Sequence, residues 1–117
     1  DSAAADKWAN QMIVMYSDDP GALGMIAEMA AADPDEEVQN HGAARKAADA
    51  MLRKSGPRDP DALAVSAMVA FQEGDADRAI REQMQAWMTA DPDMKPEFKR
   101  SLDIYRGQAS RPGASRR

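Results

Sequence analysis

The chain has 117 residues, a net charge of −5 and no cysteine. That length fits one domain with a modest core. The missing thiols exclude disulfides, cysteine nucleophiles and thiolate metal sites, and no apolar run approaches the ~20 residues that span a bilayer. Alanine and methionine dominate the apolar residues, while Val, Ile and Thr are sparse. Ala and Met favour helix and the β-branched residues favour strand, so the composition predicts an all-α fold. The chain starts at Asp1, without Met and without a basic-then-apolar leader, as a processed chain or an excised domain would.

Asp-Pro pairs punctuate the sequence at 19–20, 33–34, 59–60 and 91–92. Proline biases the residue before it out of helix, and aspartate caps the next helix. Each pair therefore marks a break and a helix start. The first predicted helix is Ala4 to Tyr16, with Trp8, Met12, Met15 and Tyr16 on one face. The second is Gly21 to Ala32, with Leu23, Ile26, Ala27 and Ala30 together. The polar stretch DPDEEVQNHG comes next, as a loop. The third helix, Ala43 to Lys54, keeps Ala43, Ala44, Ala47, Ala50 and Met51 in register, and Ser55-Gly56-Pro57 stops it. The fourth spans Asp61 to Gln72 and the fifth Asp75 to Thr89, with Gly74-Asp75 as the turn and Asp75 as the cap. The last, Lys95 to Arg106, presents Phe98, Leu102 and Tyr105. Six helices joined by short connections imply antiparallel pairs.

Charge is unevenly spread. Residues 1–42 carry nine acids against Lys7 alone, whereas 106–117 carry four arginines and no acid. The folded body thus lacks the basic face that nucleic acid requires. The stretch RGQASRPGASRR has no apolar periodicity and reads as a disordered basic tail over 107–117.

Aligning the Asp-Pro pairs at 19 and 59 reveals a repeat. Leu23 matches Leu63, Ile26 matches Ser66, Ala27 matches Ala67 and Ala30 matches Ala70. In the second helix of each pair Ala43, Ala44, Ala47, Ala50 and Met51 match Ala79, Ile80, Gln83, Ala86 and Trp87. Residues 59–92 resemble a tetratricopeptide (TPR) repeat, a helix–turn–helix unit. Ala67, Ala79 and Ala86 stand where that family has small residues at its helix crossing, and Gly74-Asp75 matches its turn. Ser66, Ala70 and Gln83 depart from the family's large apolar residues. The resemblance implies a short right-handed superhelix: a half-repeat over 4–16, repeats over 19–54 and 59–90, and a capping helix over 95–106. A narrower similarity, in Ala79 or Ile80, Gln83, Ala86, Leu102, Tyr105 and Arg106, is to TPR-like C-terminal segments of bacterial thioredoxin-like (redoxin) proteins. It implies an appended module without redox chemistry of its own.

Catalytic material is scarce. His41 is the single histidine and sits in the polar loop, so neither a triad nor a zinc site can be assembled. Asp33, Asp35, Glu36 and Glu37 lack the Gly and Glu that a calcium-binding EF-hand loop requires at its sixth and twelfth places, which are Val38 and Ala44 here. No enzyme activity, cofactor or metal is expected. Instead the resemblance implies a protein or peptide partner on the concave face of the first helix of each pair. By position that face is Gly24, Glu28 and Ala31, then Ala64, Met68, Phe71 and Gln72. Glu28 and Met68 stand where a carboxylate-binding clamp would need Lys or Asn, which argues against capture of a C-terminal carboxylate. The alternatives are self-association, as a homodimer, through Trp8, Met12 and Met15, or service as a domain of a larger bacterial protein.

Overall fold

A computed structural model describes residues 2–32 and 41–109. Six helices succeed one another: α1 (Ser2–Met15), α2 (Pro20–Ala32), α3 (His41–Ser55), α4 (Pro60–Gln72), α5 (Ala76–Thr89) and α6 (Lys95–Ala109). The fold is all-α, and no strand occurs among the described residues. Asp33, Asp35, Glu36, Glu37, the side chain of His41 and residues 110–117 lie outside the described part.

The helix ends depend on single side chains. The Asp19 carboxylate accepts from the Ala22 N–H at 3.1 Å. Asp59 accepts from Ala62 N–H at 2.9 Å, and Asp75 from Arg78 N–H at 3.1 Å. Each satisfies a backbone donor that the first turn leaves orphaned. Pro20 and Pro60 occupy the first helical position, where no N–H is needed. Asp91-Pro92 behaves differently. It opens a turn, with Met94 N–H donating to Asp91 O at 2.9 Å, and α6 starts only at Lys95.

Gly74 ends α4 with φ +86°, which disfavours any residue with a Cβ. Its N–H donates to Phe71 O, and Asp75 N–H reaches back to Ala70 O at 2.8 Å. This pair of bonds is a Schellman stop. At the end of α5, Lys95 donates to the carbonyls of Trp87 and Met88 at 2.6 and 3.1 Å. Its ammonium also lies 5.6 Å from the centre of the Trp87 ring. The cation thus satisfies the negative helix end and caps an aromatic face together.

Two helix pairs, α2 with α3 and α4 with α5, form the centre of the molecule. The second pair stacks on the first through α4, which touches both α2 and α3. α1 leans on α2 and α3 at one side, and α6 packs on α5 at the other. The result is a slab of 36 × 33 × 18 Å, about two helix diameters thick.

Most positions aligned across the two repeats share the same depth. Leu23 and Leu63, Ile26 and Ser66, Ala27 and Ala67, Ala30 and Ala70 are all buried. So are Ala43 and Ala79, Ala47 and Gln83, Ala50 and Ala86. Ile80 and Trp87 are half-buried, where their counterparts Ala44 and Met51 are buried. Alanine is the commonest buried residue, and side chains this small let helix axes approach to about 8 Å.

Ser66 is a polar exception in that core, and it is fully paired. Arg45 of α3 donates to Ser66 Oγ at 2.8 Å and to Ser66 O at 3.1 Å. The Ser66 hydroxyl donates to Glu82 of α5 at 2.8 Å. Arg45 also pairs with Asp49 and Glu73, and Arg78 with Glu82. Three helices are thereby joined by charges that satisfy one another, as buried charge requires.

Enlarging a crossing residue tests this packing. Ala67→Leu forces side chains into a site with no room and is expected to cost ~1–3 kcal/mol. The change reads out as a lower urea midpoint at an unchanged slope. An unaltered midpoint would show that α4 and its neighbours are not in close contact there.

Candidate functional site: a groove between α2, α4 and α6

A groove of about 250 Å³ opens where α2, α4 and α6 face one another. Ala64, Val65, Met68 and Phe98 supply its apolar lining, and Gln83 of α5 also lines it. Glu28 stands on the α2 wall and Glu97 on the α6 wall. Met94, Ser101 and Tyr105 complete the α6 side. Among the described residues the lining therefore carries two carboxylates and no cation.

Helix periodicity explains which side chains arrive there. Ala64 and Met68 are one turn apart on α4, so both face the same way. Glu97, Ser101 and Tyr105 repeat every four residues along α6 and form its wall. α6 itself is anchored by Phe98, Leu102 and Tyr105, all buried. The ring of Tyr105 stacks on Phe71 of α4 at a centroid distance of 4.6 Å, an aromatic contact worth about 0.5–1.5 kcal/mol beyond area burial.

Gln83 is the unusual member. It is 1% exposed, and its Nε2 donates to the Phe98 carbonyl at 3.1 Å. That bond fixes the amide orientation, because a flipped amide would set oxygen against oxygen. The other end, Oε1, is a buried acceptor without a hydrogen-bond partner among the described residues.

The residues expected on the concave face divide into two groups. Glu28, Ala64 and Met68 meet in the groove. Phe71 turns to Tyr105, and Gln72 is exposed at the end of α4. Gly24 and Ala31 are buried instead. A Cβ on Gly24 would lie 3.2 Å from the Met51 sulfur and 3.6 Å from a Val65 methyl, so Gly24 is where α2 comes close to α3 and α4. Gln83 and the α6 wall are groove residues that the sequence reading does not reach. The four-residue spacing of Glu97, Ser101 and Tyr105 is the available signal.

On α1, Met12 packs with Ile13 against the α2–α3 core beside buried Ala9. Trp8 is 40% exposed and Met15 68% exposed. The suggested self-association face thus contributes one residue to the core and two to the surface. Among the described residues no cluster of three or more His, Asp or Glu could hold a metal, and no helix is long and apolar enough to cross a membrane.

Burial raises the Tyr105 pKa above its ordinary 10.0. The folded state then holds the phenolic proton more tightly than the unfolded chain. Stability from this group is complete below pH 10 and is lost as pH rises through the folded pKa. Tyr105→Phe is therefore expected to flatten the stability loss above pH 10, measured by urea unfolding across an alkaline series against the parent chain. An equally steep loss in the variant would assign it to other groups.

No family model, no curated protein and no solved structure matches this chain.

Proposed function

We propose that this chain is a non-catalytic TPR-like module that binds a protein segment in the groove between α2, α4 and α6. The observation that carries the reading is the groove itself: apolar Ala64, Val65, Met68 and Phe98 with Glu28 and Glu97 on opposite walls. Apolar lining supplies affinity, and a few placed polar groups supply orientation. Methionines at such a surface adapt to different partner shapes. The matching depth of most aligned repeat positions supports the TPR-like part of the reading.

Met68→Glu and Met94→Glu place a charge in the groove. Each is expected to lower capture of a groove partner about ten-fold, the effect of losing one anchoring contact. Capture is measured by quantitative mass spectrometry of proteins retained on the immobilised chain, with helicity checked by circular dichroism. Ile104→Glu, on an exposed part of α6 outside the groove, should leave the same partners bound. Partners retained equally by both groove variants would remove the groove from the proposal.

A second reading is self-association through α1, where Trp8, Val14 and Met15 are exposed together on one helix. Light scattering across a concentration series tests it. A rising mass that Trp8→Glu abolishes supports it, and a constant monomer mass removes it.

A further inference from the structure

We infer that the groove between α2, α4 and α6 receives an arginine side chain of a partner segment. The inference rests on the groove being the partner-binding surface and adds the chemistry of the residue that enters it. Two independent observations point to the same ligand. Glu28 and Glu97 are exposed on the α2 and α6 walls, and neither makes an ion pair among the described residues. Gln83 lines the groove, is 1% exposed and holds Oε1 without a hydrogen-bond partner among the described residues. Its Nε2 is committed to the Phe98 carbonyl at 3.1 Å, so the other end can only accept. These three groups all accept hydrogen bonds and two of them are anionic. Their complement is a cation rich in N–H donors.

Size and shape choose among cations. At about 250 Å³ the groove falls below the roughly 300–1,000 Å³ of pockets that enclose whole drug-sized ligands, so it suits a single side chain. Ala64, Val65 and Met68 of α4 offer apolar surface to an aliphatic stem. Lysine and arginine both have such a stem. The ammonium is a compact, strongly hydrated point charge, whereas the guanidinium is more weakly hydrated and spreads five N–H donors in a planar fork. It can therefore serve acceptors on different helices together. The net charge of −5 also draws a basic segment toward the chain.

Random peptides displayed on phage, selected on the immobilised chain, test the assignment. Arginine is expected to be enriched among the retained peptides, and the tightest is then measured by fluorescence anisotropy. Replacing its arginine by citrulline, which keeps the shape and loses the charge, or by lysine should each weaken binding about ten-fold, the scale of one charge-assisted hydrogen bond. On the chain, Glu28→Gln/Glu97→Gln should weaken binding about three- to ten-fold, and Gln83→Leu about ten-fold. Asp61→Asn/Asp77→Asn removes the same charge at exposed positions outside the groove and should weaken it by less than about two-fold. Circular dichroism checks that each variant keeps its helices; if Gln83→Leu does not, the two carboxylate pairs decide. Retention of no peptide, or no enrichment of arginine, would overturn the inference. So would equal binding of the citrulline or lysine peptide, or equal losses in the two carboxylate pairs. N-acetylarginine amide bound as tightly as the peptide would make the ligand a free small cation and also overturn it. Peptides without arginine that Met68→Glu releases would sink the arginine assignment and keep the groove as a binding surface. Arginine peptides that Met68→Glu leaves bound would remove the groove itself.

Discussion

Alanine at the helix crossings is the constraint on which the rest of the molecule depends. Ala27, Ala47, Ala67, Ala79 and Ala86 are fully buried. Each allows the backbone of a neighbouring helix to come close, and Gly24 extends the same logic to a point where Met51 and Val65 leave no room for more. Small side chains bring close contact but little apolar area per residue. The larger apolar contribution therefore falls to a few residues: Leu23, Ile26, Met51, Leu63, Val69, Phe98, Leu102 and Tyr105. Five of these eight sit on α4 or α6 and only Met51 on α3, so α4 and α6 carry more of the core's bulk than the alanine-rich α3.

Close helices also force choices on polar groups. Ser66 replaces the apolar residue that its counterpart Ile26 supplies in the first repeat, and the space it frees is filled by the Arg45 guanidinium. An arginine this enclosed is tolerable only with carboxylates and hydroxyls around it. Asp49, Glu73 and, through Ser66, Glu82 provide them. Arg45 Nε is buried without a partner among the described residues, so the network is not saturated there. Beyond energy, the network contributes register: a slip of α4 against α3 by one residue would separate Ser66 from both Arg45 and Glu82. Apolar alanine faces tolerate such slips, and directional charged hydrogen bonds do not.

Features that depend on neighbours along the chain are legible in the sequence. The caps at Asp19, Asp59 and Asp75, the stop at Gly74 and the shared depth of most aligned repeat positions arise from local chemistry or from spacing. Periodicity ends α6 at Arg106, whereas the helix continues to Ala109, because Gly107 is a poor but not forbidding helix residue. Less legible is the side on which each helix meets which neighbour. A helix inside a stack is buried on more than one face, and an alanine-rich helix such as α2 shows little contrast between faces. Gly24 and Ala31 therefore read as surface in the sequence and are interior in the fold. The same ambiguity hides Gln83. Nothing along the chain distinguishes a glutamine that lies on the surface from one whose amide meets the Phe98 carbonyl fifteen residues away.

That contact links the packing of α6 to the character of the groove. The Phe98 carbonyl belongs to the first turn of α6, where its position is set by the Lys95 contacts at the end of α5 and by burial of the Phe98 ring. Once the carbonyl is fixed, it claims the Gln83 amide nitrogen and leaves the amide oxygen unmet. A leucine at position 83 would fill the space without that cost but would leave the groove without its buried acceptor. Glu28 and Glu97 are exposed and keep their water, so they attract a cation at long range and hold it weakly. The Gln83 oxygen is a buried acceptor at the groove, and a donor that reaches it gains a hydrogen bond. Walls of exposed carboxylate around a buried acceptor are complementary in charge and hydrogen bonding to a cationic donor. A guanidinium at the end of an aliphatic stem is such a donor.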